Sequence, residues 1–145
     1  MYERIVVPTD GSACASAAVE HATDIAQQYD ASLHLLSVVD SRNISHGSPA
    51  VSPAQIESTL QEQAEGVVSE AADEAASEGL TVQTEVITGI PDTAIIDYAE
   101  ENDLDLIVMG THGRTGLHRY LLGSVTERTV RQSPVPVLTI RNAEE

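Results

Sequence analysis

Two short clusters hold the residue types on which phosphate and sugar recognition rests. Pro8-Thr9-Asp10-Gly11-Ser12 closes an apolar run, Ile5-Val6-Val7, and sets one carboxylate among small hydroxyl residues. Gly110-Thr111-His112-Gly113-Arg114-Thr115-Gly116 follows a second apolar run and leads through Leu122 to Gly123-Ser124-Val125-Thr126. Glycines let a backbone come close to phosphate oxygens with its N–H groups turned inward. A helix beginning at Gly123-Ser124 adds free amides and the positive end of its dipole. The Ser124 and Thr126 hydroxyls can complete such a shell. These residues suit a nucleotide pocket. The same glycines would also serve as plain tight turns, and composition leaves both readings open.

Other chemistries find less support. A Walker A loop needs Gly-x4-Gly-Lys-Ser/Thr, and the chain has no Lys. A dinucleotide fingerprint needs several glycines in the first turn, which has only Gly11. Without a phosphate-clamping Lys or an evident base, no catalytic residue is assigned. Asp10 could help hold Mg²⁺ or Mn²⁺ through phosphates, but a lone Asp is a weak ligand set and no metal site is assigned. Cys14, at a helix start, has no partner by spacing and reads as a small structural Cys rather than a reactive thiol. His21, His34 and His46 are scattered over helix, strand and loop. His112 and His118 flank Gly116 and read as loop residues that hydrogen-bond, not as metal ligands. Ser12 lacks the G-x-S-x-G elbow of a hydrolase. Arg128 and Arg131 suit the C-terminal end of a helix.

The elements that must position these clusters follow from apolar spacing. Tyr2–Val7 reads as a strand, and its continuous apolar end suits burial on both faces. Ala18, Val19, Ala22, Ile25, Ala26 and Tyr29 recur at helical spacing over Ala13–Tyr29. Ser32–Val39 is a second strand. Asp40–Pro53 holds Ser, Asn, His, Gly and Pro without periodicity and reads as a flexible loop. A long helix over Ala54–Glu78 carries a stripe from Ile56 to Ala76, with Gly79 placed to stop it. Leu80–Thr88 is a third strand. Pro91 opens a helix that runs from Asp92 to Glu101 and buries Ile95, Tyr98 and Ala99. Leu104–Met109 is a fourth strand, Gly123–Gln132 a helix and Val135–Ile140 a fifth strand. Alternation of strand and helix predicts an α/β fold: one parallel sheet with helices on both faces, in a single domain over 1–145. Pro136, inside the last strand, places that strand at the sheet margin. Ligands of such sheets bind at the carboxyl ends of the strands, where both clusters fall.

Composition bounds the partners. The chain has 145 residues with 23 Asp+Glu against 7 Lys+Arg, all Arg, for a formal charge of −16. No basic footprint is available for nucleic acid or an anionic membrane. One Cys excludes an intrachain disulfide. No stretch approaches the roughly 18 apolar residues of a membrane span, and we expect a cytoplasmic protein. An acidic surface without Lys is at ease in concentrated salt, which screens its self-repulsion. We expect a halophilic setting.

Gly110-x2-Gly113-x9-Gly123-Ser124 resembles the nucleotide-binding signature of the universal stress protein family, in its ATP-binding branch. Ile5-Val6-Val7-Pro8-Thr9-Asp10-Gly11-Ser12 resembles that family's first strand and acidic loop. Leu35–Asp40, Gly89-Ile90-Pro91 and Ser133–Leu138 resemble its second strand end, third loop and terminal edge strand, so the likeness spans the chain. It implies an open sheet of five parallel strands in order 3-2-1-4-5, of the adenine nucleotide alpha hydrolase-like kind, and a homodimer paired through Val135–Ile140. It also implies ATP, with or without Mg²⁺ or Mn²⁺. Asp10 would bind the ribose, Val38 would contact adenine, and Pro8 and Thr9 would line base and sugar. Gly110, Gly113, Arg114, Gly123, Ser124, Val125 and Thr126 would hold the phosphates. Ser37 stands where many relatives carry His. The implied function is a homodimeric, nucleotide-dependent switch in stress response. A slow ATPase or nucleotidyl-transfer enzyme, and an interaction dimer without nucleotide, are the alternatives.

Overall fold

The computed structural model describes residues 1–44, 50–76, 79–112 and 122–142. Five strands, β1 (Arg4–Pro8), β2 (Ser32–Asp40), β3 (Val82–Gly89), β4 (Leu106–Gly110) and β5 (Val137–Ile140), form one sheet in the order β3-β2-β1-β4-β5. Every neighbouring pair is parallel, with Ile5 opposite Leu33 on one side and Leu106 on the other. The expected fold class and strand order are those observed. Four helices connect the strands: α1 (Ala13–Tyr29), α2 (Pro53–Ala75), α3 (Pro91–Glu101) and α4 (Ser124–Gln132).

Period-two alternation divides the strand residues between two cores. Ile5, Val7, Leu33, Leu35, Leu106 and Val108 pack against Ala18, Val19, Ala22 and Ala26 of α1 and Ala71 and Ala75 of α2. On the opposite face Val6, Leu36, Ile107 and Met109 meet Ile95 and Ala99 of α3 and the partly buried Val125 of α4. Covering both faces is why β1 and β4 are continuous in apolar character. Small alanines on α1 bring that helix close to the sheet.

Local chemistry sets the helix ends. Gly11, at φ 81, turns the chain so that the Ser12 hydroxyl can accept from Ala15 N and cap α1. Ser52 and Gln55 form a capping box, with Pro53 in the first turn of α2. Asp40 therefore ends a strand rather than opening a loop, a 3-10 turn follows at Ser41–Asn43, and Pro53 already belongs to a helix. Residues 45–49, the middle of the expected loop, lie outside the described residues.

Three expectations need correction. β5 begins at Val137, so Pro136 precedes the strand, and its carbonyl accepts from Ile107 N at 3.0 Å. The strand is still marginal, but because of its place in the sheet order rather than a missing donor within it. The buried stripe of α2 is narrower than its apolar spacing suggests: only Ala64, Val68, Ala71 and Ala75 are buried, and Ala76 is exposed. Tyr29 is 47% exposed, packed edge-on against Tyr2 with ring centroids 5.4 Å apart. No helix is long and apolar enough to cross a membrane among the described residues.

Candidate functional site

Pro8 opens the crevice. β1 pairs with β2 through Pro8↔Leu36, and Thr9 N continues to Leu36 O at 2.8 Å. Its pairing with β4 stops at Val6↔Ile107. Pro8 has no N–H to give, so the two central strands part at their carboxyl ends. This is the point where the strand order reverses, the usual ligand position in an open parallel sheet.

The β1 side of the crevice is a preformed loop. Thr9 Oγ1 accepts from Gly11 N at 3.2 Å, and Asp10 Oδ1 accepts from Ser12 N at 2.9 Å. Thr9 is buried and Asp10 half-buried. These short-range bonds hold the carboxylate beside the first turn of α1.

The β4 side is joined to α4 by two bonds. Gly123 N donates to Thr111 O at 2.8 Å, and the Thr126 hydroxyl donates to Gly110 O at 2.8 Å. Thr126 is 4% exposed, so its proton serves as a latch between β4 and α4, where the sequence suggested an open phosphate ligand. Gly110 has a packing role too: a Cβ there would lie 2.7 Å from Cys14 Cβ and 2.9 Å from Cys14 C. Cys14 itself is 1% exposed, with Sγ 3.9 Å from Thr111 Oγ1. This agrees with a structural thiol.

The two helix N-termini differ. α1 is capped by its own Ser12, whereas α4 starts at Gly123 with no side-chain cap. The first amides of a helix have no intrahelical acceptor. Those of Ser124, Val125 and Thr126 carry the positive end of the α4 dipole, and the Ser124 side chain is exposed. Val125 and Val38 both border the core on the α3 side. Pro8, Thr9, Asp10, Val38, Gly110, Gly123, Ser124, Val125 and Thr126 thus all stand at the carboxyl edge of β1, β2 and β4. Gly113 and Arg114 lie outside the described residues, as do Thr115, Gly116 and His118.

At the β2 end, Asp40 and Arg42 form a two-point ion pair, with Arg42 Nη2 and Nε 2.7 and 2.9 Å from the carboxylate. Arg42's hydrogen bonds hold Asp40 below the usual carboxylate value, against the opposing effect of burial. Arg42 is raised, chiefly by its hydrogen bond to Asp40, with a smaller pull from the charge of Asp92. Asp92, at the entrance of α3, is 6% exposed. Sequence reasoning passed over it, because an acid in a first helical turn reads as a surface complement to the dipole. Away from the crevice, His34 is buried between Ser32 and Tyr98, its Nδ1 3.3 Å from the Tyr98 hydroxyl. Among the described residues no three His, Cys, Asp or Glu side chains could jointly hold a metal ion.

Known proteins share this architecture. The family model described as universal stress protein family matches residues 1–141. Universal stress protein MJ0531 of Methanocaldococcus jannaschii is 38% identical over 146 residues, covering all of this chain and 85% of the relative. The solved structure of MJ0577, from the same organism, superposes with a TM-score of 0.88 at 32% identity, covering 100% of this chain and 99% of that one. UspA from Lactobacillus plantarum gives 0.76 at 34% identity over 97% and 98% of the two chains. A universal stress protein solved in complex with cAMP gives 0.73 at 28% identity over 96% and 97%.

Proposed function

We propose, from the premise that this chain belongs to the universal stress protein family, that it binds an adenine nucleotide and acts as a nucleotide-dependent homodimeric switch. The observation that carries the reading is the N-terminus of α4, without a side-chain cap among the described residues, at the same carboxyl edge of the sheet as the Asp10 loop and the crevice that opens at Pro8. Free amides at one wall suit phosphate oxygens, and a carboxylate at the other suits ribose hydroxyls. A relative's complex with cAMP supports the ligand class. ATP is the nucleotide we favour, with Gly110, Gly113, Arg114, Gly123, Ser124, Val125 and the backbone amide of Thr126 toward its phosphates. Mg²⁺ or Mn²⁺ would enter only through those phosphates.

Ser124→Asp tests the site without harming the fold. A carboxylate in the first turn of α4 complements the dipole and stabilises the helix, by about 0.3–1 kcal/mol. It also occupies the amides and repels phosphate. Calorimetry with ATP and cAMP should show binding to the wild type and at least a tenfold loss in the variant, with thermal stability kept or raised. Equal affinity in the two proteins would remove the α4 terminus from the site. Hydrolysis should stay below the roughly 1 s⁻¹ at the slow end of typical enzymes, since the chain has no Lys clamp and no base is evidently aimed at a γ-phosphate.

A further inference from the structure

Asp92 Oδ1 is a buried side-chain oxygen with no hydrogen-bond partner among the described residues. Burying a carboxylate oxygen without a donor is costly, and native proteins seldom leave one so unless function needs it. Its position is informative. Asp92 is the second residue of α3, which follows β3 and lies on the same face of the sheet as α4. Both helices begin at the carboxyl edge of the sheet, because each follows a parallel strand. α3, like α4, has no side-chain cap.

The two ends of this edge differ in charge. At the β2 and β3 end, Asp40 stands opposite Gly89, Arg42 is bound to Asp40, and Arg42 also feels the charge of Asp92. Asp40 is paired with Arg42 there, and the buried carboxyl group of Asp92 stands at the entrance of α3. At the β4 end stand the amides of α4. β3 and β4 are three strand spacings apart, about 14 Å. A nucleoside phosphate can bridge such a span and a free base cannot. Phosphate is repelled from the acidic end and attracted to the other, so the base is left at the entrance of α3.

We propose that Asp92 is the specificity-determining residue for the base: its carboxylate accepts an N–H from the exocyclic 6-amino group of a purine and turns away 6-oxopurines. A 6-oxo group would set a carbonyl oxygen against a carboxylate oxygen, leaving both without a donor. The Cβ–Cγ torsion of Asp is broad and two-fold, so the two oxygens exchange places readily and either can meet the base. The proposal rests on the nucleotide reading above and adds to it a selectivity for the base.

The test compares ATP with inosine triphosphate, which differs by a 6-oxo in place of the 6-amino group, in calorimetry on the wild type, Asp92→Ala and Asp92→Asn. The wild type should prefer ATP by about tenfold or more, the scale of one hydrogen bond to a charged group. Asp92→Ala should bring the ratio toward one, losing ATP affinity and gaining affinity for inosine triphosphate as the oxygen–oxygen clash is removed. Asp92→Asn, close to isosteric, keeps an acceptor and adds an N–H, so its ratio should fall through a gain in inosine triphosphate. If Asp92→Ala does not fold, Asp92→Asn decides alone. An unchanged ratio in a folded variant overturns the proposal. So does a wild type that binds both triphosphates equally, which leaves the nucleotide reading standing. A wild type that binds neither overturns that reading and the proposal with it.

Discussion

Gly110 shows how one missing side chain serves two purposes. It ends β4 at the crevice, and it lets the first turn of α1 pass within van der Waals distance. An Ala there would place Cβ 2.7 Å from Cys14 Cβ and 2.9 Å from Cys14 backbone carbon. Backbone cannot swing aside as a side chain can, so α1 must shift. We predict that Gly110→Ala destabilises by about 1–3 kcal/mol in chemical denaturation, the usual cost of overpacking. Gly89 is the control. A Cβ there meets only Ala94 Cβ, at 3.4 Å, and Gly89→Ala should cost much less.

His34 supplies a pH dependence. Burial foremost, and then the charge of Arg4, hold it below the ordinary value of 6.5. Around it stand Ser32 on its own strand, Arg4 on β1 and Tyr98 on α3, with Glu85 of β3 near enough to help raise Tyr98. The unfolded chain takes up a proton as pH falls through about 6.5. The folded chain resists until lower pH, so the unfolded state binds more protons in that interval. Stability is complete above about 6.5 and declines below it. Denaturation midpoints should fall between pH 7 and pH 5, and His34→Gln should flatten that part of the profile. Parallel profiles would remove His34 as the cause.

Among the elements, α4 depends most on a single bond. The helix spans Ser124–Gln132, and the Thr126 hydroxyl ties it to the last carbonyl of β4 at 2.8 Å. Thr126→Val keeps the shape and removes the donor. A buried acceptor left without its partner costs about 1–3 kcal/mol. Nucleotide affinity should fall with it, because the amides of α4 lose their anchor to the crevice. Loss of stability with unchanged affinity would show that Gly123 N→Thr111 O alone is enough to position the helix.

Elements buried on both faces were the most legible in sequence. Ile5-Val6-Val7 and the apolar run ending at Met109 admit no polar residue, and α1 repeats its alanines with the helical period. β3 was less clear, because as an edge strand it exposes Gln83, Thr84 and Glu85 and carries little apolar signal. Of the candidate site, the Asp10 loop and the N-terminus of α4 could be read directly as local structure, since Gly, Ser and Asp mark turns and caps. The bond from Thr126 to Gly110, the contact of Gly110 with Cys14 and the buried oxygen of Asp92 could not. Each depends on residues brought together by topology, and no local period announces such a pairing.

The whole molecule carries a formal charge of −16 and two sheet edges, one of them the short β5. Leu138 on β5 is 37% exposed and Val130 on α4 is 45% exposed, and among the described residues β5 has a strand partner, β4, on one side alone. An open edge of this kind invites another strand, and a second copy across a two-fold axis satisfies both edges at once. Bringing two such charges together opposes the contact. Added salt weakens that opposition, since the Debye length falls to about 3 Å near 1 M, while apolar burial remains. The dimer proposed above should therefore strengthen with salt, and the stability of the fold should rise in parallel. Light scattering from low salt to above about 1 M should move the wild type from 15.4 kDa toward twice that mass. Leu138→Asp is the discriminating variant. Its side chain is exposed enough to accept a charge without disturbing the core, unlike Val137, which packs against the α3 face. It should remain folded and stay at 15.4 kDa at all salt concentrations. A wild type that is monomeric throughout, whatever its concentration, would remove the β5 edge as an interface, and a dimeric Leu138→Asp would move the interface elsewhere.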